Sequence, residues 1–230
     1  MYAVRLSENL PRVQERIGRA LERVGREAPV TIVAVTKGHP ASAVIAAADA
    51  GLCDVGENRA QELEAKRSEA DGRVRWHLIG HLQRNKVRRV LPLFDMIHSV
   101  DSLRLAQELS KEAERADRDV DGLLQVNASG EATKGGLNVE DGVDAIGAIT
   151  ELPRLRIHGL MTMAPLTDDE AVQRSTFART RTLFEACARV LPSFDALHMS
   201  MGMSNDFEVA VEEGSTMVRL GTALFGERLR

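Results

Sequence analysis

Cysteine and aromatic residues are scarce in this chain of 230 residues. Aromatic side chains make up 3% of the sequence, and the two cysteines, Cys53 and Cys187, lie far apart without forming a CxxC pair. This usage indicates neither a disulfide framework nor a zinc site. Because it fits a reducing compartment best, we expect a cytoplasmic protein.

Long apolar runs and a strong excess of one charge are also missing. The first ten residues lack the apolar core of a signal peptide, and no later run is long enough to cross a bilayer. With 30 basic and 34 acidic residues, the net charge of -4 attracts neither nucleic acid nor an anionic membrane. The basic run at 84–89 lies in an amphipathic stretch, which favours a solvated helix face over a nucleic-acid patch.

What the sequence does contain is typical of a globular protein, since 43% of its residues are hydrophobic and 28% are charged. No linker or change of composition divides it, which predicts one domain over residues 1–230. Near the N-terminus, apolar residues at three- and four-residue steps predict an amphipathic helix at about 7–27: Leu10, Val13, Ile17, Leu21 and Val24.

Short β-branched runs, each followed by a helical pattern, occupy about residues 30–226. We predict strands at 30–37, 53–56, 75–80, 94–100, 122–127, 156–162, 196–201 and 217–221. The clearest helical patterns between them are at 41–50, 59–69, 102–116 and 169–190. Eight such units predict an α/β fold, a single (β/α)8 TIM-type barrel preceded by the extra N-terminal helix. A doubly wound open sheet is the alternative.

Lys37 ends an apolar strand in which alternate residues share a face, so it points the same way as Val33 and Val35. In a barrel that direction is inward. Partial burial lowers the pKa of a lysine and makes its amine available as a Schiff-base nucleophile. A lysine that simply reaches out of the strand end into solvent explains the pattern equally well.

A glycine turn follows the strand at 196–201, and Ser204 or Asn205 is placed to cap a short helix ending near Gly214. If Asn205 is the cap, Glu208 completes a capping box. Free backbone N–H groups beside serine hydroxyls favour a phosphate site, and Gly221 lets the next strand approach a ligand closely. Such sites occur after strands seven and eight of TIM barrels, although ordinary turn chemistry is the alternative.

Arg219 lies in a mostly apolar strand, on the same side as Gly221. A guanidinium cannot neutralise itself, so it needs a carboxylate, a phosphate or another acceptor. Two interpretations follow. Arg219 either donates a hydrogen bond to a pyridine nitrogen or forms a structural ion pair with a glutamate of the barrel.

Seven motifs lie along the chain in this order: Val-Thr-Lys at 35–37, Gly-Glu-Asn-Arg-Ala-Gln-Glu at 56–62, Trp-His-Leu-Ile-Gly-His-Leu-Gln-Arg-Asn-Lys at 76–86, Ser-Gly-Glu-Ala-Thr-Lys-Gly-Gly at 129–136, Gly-Leu-Met-Thr-Met at 159–163, Ser-Met-Gly-Met-Ser at 200–204 and Val-Arg-Leu-Gly-Thr at 218–222. Together they resemble the pyridoxal 5′-phosphate (PLP) homeostasis proteins, which share their fold with the N-terminal domain of alanine racemase. The motifs span nearly the whole chain.

The resemblance implies a role in PLP binding for seven residues. Lys37 is expected to hold PLP as a Schiff base, Asn58 to lie close to its ring, and Arg219 to face the pyridine nitrogen. The remaining four are expected to hold the phosphate: Ser200, Ser204, Gly221 and Thr222.

An arginine at the pyridine nitrogen keeps that nitrogen unprotonated, which weakens carbanion chemistry. The one tyrosine, Tyr2, lies at the N-terminus, and there is no room for the second domain of a racemase, so a second acid or base is hard to find. We therefore expect a monomeric protein that binds PLP and delivers it to apoenzymes without substantial catalysis. The alternatives are a weak amino-acid racemase and a Schiff-base aldolase acting on a sugar phosphate.

Two further features have less specific interpretations. Lys134, in the glycine-rich loop at 129–136, is either a site that receives PLP before release or a solvated loop lysine. His77 and His81 are four residues apart but straddle a strand end, so a metal site is not favoured there.

Overall fold

A closed parallel barrel is formed within residues 1–70, 72–131 and 135–227, which are those that the computed structural model describes. Its strands are β1 (Thr31–Val35), β2 (Asp54–Glu57), β3 (Arg75–Leu78), β4 (Met96–Val100), β5 (Val120–Asn127), β6 (Leu137–Asn138), β7 (Leu155–Met161), β8 (His198–Ser200) and β9 (Met217–Leu220). All but β6 pair in parallel around a ring that closes between β9 and β1. The two-residue β6 pairs with the end of β5 outside the ring.

Helices follow the strands and cover the outside of the barrel. They are α1 (Tyr2–Arg23), α2 (Ala41–Asp49), α3 (Ala60–Arg67), α4 (Val87–Val90), α5 (Leu103–Arg115), α6 (Gly142–Thr150), α7 (Glu170–Val190), α8 (Phe207–Glu212) and α9 (Thr222–Phe225). Short 3₁₀ turns lie at Arg84–Lys86, Leu91–Leu93 and Val139–Asp141. The predicted (β/α)8 barrel with an extra N-terminal helix is therefore confirmed. None of the described helices has both the length and the apolar character needed to cross a membrane.

Helix α1 packs over the seam where β1 meets β9. Its apolar stripe is buried against outward-facing residues of those strands, including Ala34 and Leu220. The helix begins at Tyr2 rather than Ser7, because Leu6 is buried and extends the apolar stripe by a turn. It ends at Arg23 rather than near Glu27.

Most strands end earlier than the sequence patterns predict. Strand β1 stops at Val35, and Lys37 lies in the turn that follows, where Gly38 has a φ of +71°. Beyond Leu78, β3 likewise gives way to the loop that contains Gly80 and His81. The loops at this end of the barrel are consequently longer than predicted, and residues of these loops line a cavity.

Candidate ligand-binding site

A cavity of about 620 Å³ lies at the C-terminal end of the barrel, where the loops after the strands meet. Parallel strands bring all these loops to one end, so residues far apart in sequence line a single space. The cavity wall includes six of the seven predicted site residues: Lys37, Asn58, Ser204, Arg219, Gly221 and Thr222. Ser200, the seventh, is not part of the wall.

Lys37 is half-buried and lines the cavity from the turn after β1. The backbone N–H of Gly38 donates a hydrogen bond of 2.8 Å to Glu62 Oε2, which ties this turn to the start of α3. The turn is also tied to the barrel, because the Thr36 N–H bonds to the carbonyl of Gly56 at 3.1 Å. The backbone that carries Lys37 is thereby fixed from both sides.

Behind this turn lies a buried ion pair that sequence reasoning missed. Lys66 Nζ donates to Glu57 Oε1 at 2.6 Å and to the Thr36 carbonyl at 2.8 Å, and Thr36 Oγ1 donates to the same carboxylate oxygen at 2.5 Å. Burial raises the pKa of Glu57, although the hydrogen bonds from Lys66 and Thr36 act in the opposite direction. The pair fastens the residue next to Lys37 to α3. Its sequence signal was a glutamate at the end of a short buried strand.

Arg219 is 4% exposed and reaches the cavity from β9. Its Nη1 donates to the carbonyl and hydroxyl oxygens of Ser200, at 2.6 and 2.7 Å, and its Nη2 donates to the carbonyl of Thr162 at 2.8 Å. Burial lowers the pKa of Arg219 to about 10, while the charge of Asp206 acts to raise it. The guanidinium is therefore still protonated at neutral pH. None of the ion pairs in the described part of the chain involves Arg219, so the predicted alternative of a glutamate partner is not found there.

Ser200 lies below the cavity rather than on its wall. The residue is fully buried, and its hydroxyl lies between Arg219 Nη1 and His98 Nδ1, 3.0 Å from the latter. Its side chain is thus engaged with protein groups in the barrel interior. Ser200 therefore accepts hydrogen bonds that hold the Arg219 guanidinium in position.

The loop after β8 turns sharply at Gly202, whose φ is +97°. A side chain could not be accommodated at this position, because a Cβ would lie 2.7 Å from the Cβ of Ala210. The prediction that Ser204 or Asn205 caps the next helix is wrong. Helix α8 begins at Phe207, with Asp206 at its N-cap position and no capping side-chain hydrogen bond.

Ser204 instead connects two loops of the cavity. Its hydroxyl oxygen accepts a 3.1 Å hydrogen bond from the backbone N–H of Ala223, in the first turn of α9. Since a hydroxyl that accepts one bond keeps its own proton, Ser204 can still donate to an anion. Gly221 and Thr222 lie beside it, and the first N–H groups of any helix have no acceptor within the helix. This corner of the cavity is rich in hydrogen-bond donors.

Several residues in or beside the cavity were given no role in ligand binding by the sequence interpretation. His81, which is largely exposed, pairs through Nδ1 with Asp101 Oδ2 at 2.9 Å. Tyr2 does not line the cavity but contacts its wall, because its hydroxyl is 3.1 Å from Nδ1 of the wall residue His39. Gln125 also lines the wall and donates to the carbonyl of Gly135 at 2.7 Å.

His77 and His81, noted for their spacing, lie in different surroundings. His77 is buried inside the barrel between Asp54 and His98, whereas His81 is at the rim. Lys134 lies outside the described residues.

Comparisons with known proteins give relatives both in sequence and in structure. The alanine racemase N-terminal domain family matches residues 9–229. The pyridoxal phosphate homeostasis protein of Pseudomonas aeruginosa is 44% identical over 225 residues, which cover 97% of this chain and 96% of that protein. PipY of Synechococcus elongatus, solved with PLP bound, has a TM-score of 0.80 and 38% identity, covering 91% of this chain and 100% of that one.

The barrel also matches an alanine racemase of Clostridium difficile, with a TM-score of 0.79 over 96% of this chain and 60% of that one. At 15% identity this likeness shows the fold alone. The homeostasis proteins, in contrast, match nearly end to end at identities that establish common descent. The chain therefore belongs to the pyridoxal phosphate homeostasis protein family, which is built on the alanine racemase N-terminal domain fold.

Proposed function

We propose that this protein binds PLP in the cavity as a Schiff base on Lys37 and serves PLP homeostasis without substantial catalysis. The observation that carries the proposal is that Lys37, Arg219 and the donor-rich corner at Ser204 line one cavity. Relatives that match over nearly their whole length are named for PLP homeostasis, and one solved relative holds PLP.

The side chains present fit PLP in kind. Lys37 supplies the primary amine that an aldehyde needs to form a Schiff base. The hydroxyls of Ser204 and Thr222, with the backbone N–H of Thr222 at the start of α9, are suited to a phosphate. Arg219, kept protonated, can only donate, so it would bond to a pyridine nitrogen that carries no proton. PLP bound in this way supplies a reversible carbonyl attachment but is a weaker electron sink.

A carrier needs to release what it binds. Lys37 would hold PLP through a reversible bond, so the amine of an apoenzyme lysine could displace it and leave Lys37 as a free amine. We further propose that the protein performs this delivery as a monomer in the cytoplasm. The free thiols of exposed Cys53 and buried Cys187 are in keeping with a reducing compartment.

Weak amino-acid racemization is a second candidate, favoured by one observation. The His81–Asp101 pair lines the same cavity as Lys37 and supplies a titratable group that sequence reasoning did not find. Chiral chromatography of alanine incubated with the PLP-loaded protein, beside a His81→Gln variant, tests it. Turnover at an ordinary enzyme rate that is lost in the variant would replace the carrier proposal.

The proposed attachment is tested by visible absorption spectra of the protein with added PLP, before and after borohydride reduction. We expect a Schiff-base band in the unmodified protein and in Lys111→Ala, a control that removes an exposed lysine of α5, but not in Lys37→Ala. Peptide mass mapping after reduction should place the PLP on Lys37. A band that survives in Lys37→Ala, or the absence of any band in the unmodified protein, would refute the proposal.

A further inference from the structure

The interior of the barrel beneath Arg219 is polar, unlike the apolar filling that is usual for this fold. Arg219 bonds to the Ser200 hydroxyl at 2.7 Å, which is 3.0 Å from His98 Nδ1. His98 Nε2 is 2.8 Å from His77 Nδ1, and His77 Nε2 is 2.8 Å from Asp54 Oδ1. All five residues are at most 7% exposed. We call this series of contacts the Arg219–Asp54 path.

The path crosses the interior of the barrel from β9 to β2. Asp54 begins β2 at the N-terminal end, where its carboxylate also pairs at 2.8 Å with Arg75, a largely exposed side chain. Arg219 is at the other end of the path, on the cavity wall. Its opposite ends therefore carry opposite charges, a carboxylate and a guanidinium.

These two charged ends determine the direction of every hydrogen bond between them. A guanidinium can only donate and a carboxylate can only accept. Ser200 Oγ, which accepts from Arg219, has its own proton left to give to His98 Nδ1. The proton of His98 is then on Nε2 and points to His77 Nδ1, and the proton of His77 is on Nε2 and points to Asp54.

The reverse direction leaves a buried group unpaired. If His77 were doubly protonated, its Nδ1–H would point to His98 Nε2, and His98 would donate from Nδ1 to the Ser200 hydroxyl. The Ser200 proton would then have no acceptor on the path, because Arg219 and His98 would both be donating to it. A buried hydroxyl proton without an acceptor is disfavoured, because the group has lost its hydrogen bonds to water without replacing them.

We propose that the Arg219–Asp54 path is a positioning device in which Ser200, His98, His77 and Asp54 hold the Arg219 guanidinium in place for the ligand. Both histidines are neutral and carry their proton on Nε2. Burial, reinforced by the charges of His77, Arg219 and His198, lowers the pKa of His98 well below its usual range, which agrees with a neutral ring. The benefit to PLP binding rests on the proposed function, whereas the proton positions do not.

The proton positions are tested by ¹⁵N NMR of histidine side chains in the ligand-free protein at neutral pH. Protonated and unprotonated ring nitrogens have well separated shifts, and His77→Gln and His98→Gln spectra assign the two rings. We expect Nε2 protonated and Nδ1 unprotonated in both histidines. A proton on Nδ1 of either ring, or on both nitrogens of His77, would overturn the proposal without reference to PLP.

The positioning role is tested by Asp54→Leu, which removes the acceptor at the far end of the path. Asp121→Leu is the matched control, because Asp121 also accepts from a histidine and an arginine, His158 and Arg156, but does not connect to Arg219. We expect PLP affinity to fall roughly tenfold in Asp54→Leu and to stay unchanged in Asp121→Leu. Asp54→Asn, which keeps an acceptor oxygen, should fall between Asp54→Leu and the unmodified protein.

The positioning role would be overturned if Asp54→Leu and Asp121→Leu lost PLP affinity equally. It would also be overturned if neither variant lost affinity. If Asp54→Leu does not fold, Asp54→Asn and the NMR measurement on the unmodified protein still decide the question. Absence of PLP binding in the unmodified protein would instead refute the proposed function, and the proton positions would be judged on the ligand-free spectra alone.

Discussion

Two buried cations lie close to the cavity, and they are held in different ways. Lys66 forms an ion pair with the buried carboxylate of Glu57, behind the turn that carries Lys37. Arg219, in contrast, bonds within the described residues to three neutral oxygens, two of them on Ser200. An adjacent carboxylate cancels most of the field that a cation exerts on a ligand. A cation that is bonded only to neutral oxygens still attracts an electron-rich ligand atom. The difference separates a structural cation from one that is available for binding.

The largest effect is expected when the paired cation is removed. Lys66→Met leaves the buried Glu57 carboxylate without its counter-charge, which should lower the free energy of unfolding by about 3–5 kcal/mol. Urea denaturation of the ligand-free protein measures this. The double variant Lys66→Met/Glu57→Leu should recover most of the loss, and no recovery would show that the pair is not the cause.

Removal of the dipole-held cation should affect stability less. Arg219→Met leaves the carbonyls of Ser200 and Thr162 short of a donor, a loss of about 1–3 kcal/mol, but it also relieves an unpaired buried charge. We therefore expect a smaller fall in unfolding free energy than in Lys66→Met, together with a clear loss of PLP affinity. If Arg219→Met lowered the unfolding free energy as much as Lys66→Met does, the proposed difference between the two cations would be wrong.

His98 lies near Arg219 in the barrel interior, where burial and the charges of His77 and Arg219 lower its pKa. Because the folded-state pKa of His98 is depressed, its contribution to stability is complete above the unfolded-state pKa of about 6.5 and is lost as the pH falls below that value. The slope reaches at most about 1.4 kcal/mol per pH unit. Urea denaturation between pH 5 and 7.5 should show a shallower slope in His98→Gln than in the unmodified protein.

The pKa of His158 is shifted in the opposite direction to that of His98. Its hydrogen bond with Asp121 raises its pKa, so its contribution is present below about pH 6.5 and is lost as the pH rises through the raised value. His158→Gln should therefore steepen the rise of stability with pH across that region. The same slope change in both histidine variants would contradict the assignment.

Ser204→Ala should have the smallest effect on stability. It removes the acceptor of the Ala223 N–H, at a loss of about 1 kcal/mol, and one hydroxyl from the donor-rich corner. Thermal unfolding measures the first effect, and titration with PLP and with pyridoxal measures the second. We expect weaker binding of PLP and unchanged binding of pyridoxal, which lacks the phosphate.

Sequence reasoning reached the barrel and six residues of the cavity wall, partly from local signals and partly from the family resemblance. Alternating strands and helices indicate the fold, and Arg219 was conspicuous because an arginine in an apolar strand requires acceptors. The same argument applies to Glu57, but its partner Lys66 is on a helix whose packing is not known from sequence. Ser200 and His98 are 102 residues apart, and only closure of the ring brings them within hydrogen-bond distance.

The seam of the barrel has a consequence for synthesis of the protein. Lys37 follows the first strand and Arg219 lies in the last, yet β1 and β9 are neighbours in the ring. A nascent chain on the ribosome holds Lys37 long before it holds Arg219, and it cannot assemble the cavity until β9 has emerged. Only chains that have been translated past β9 would then bind the ligand. Chains terminated earlier would not be detected by an assay of ligand binding.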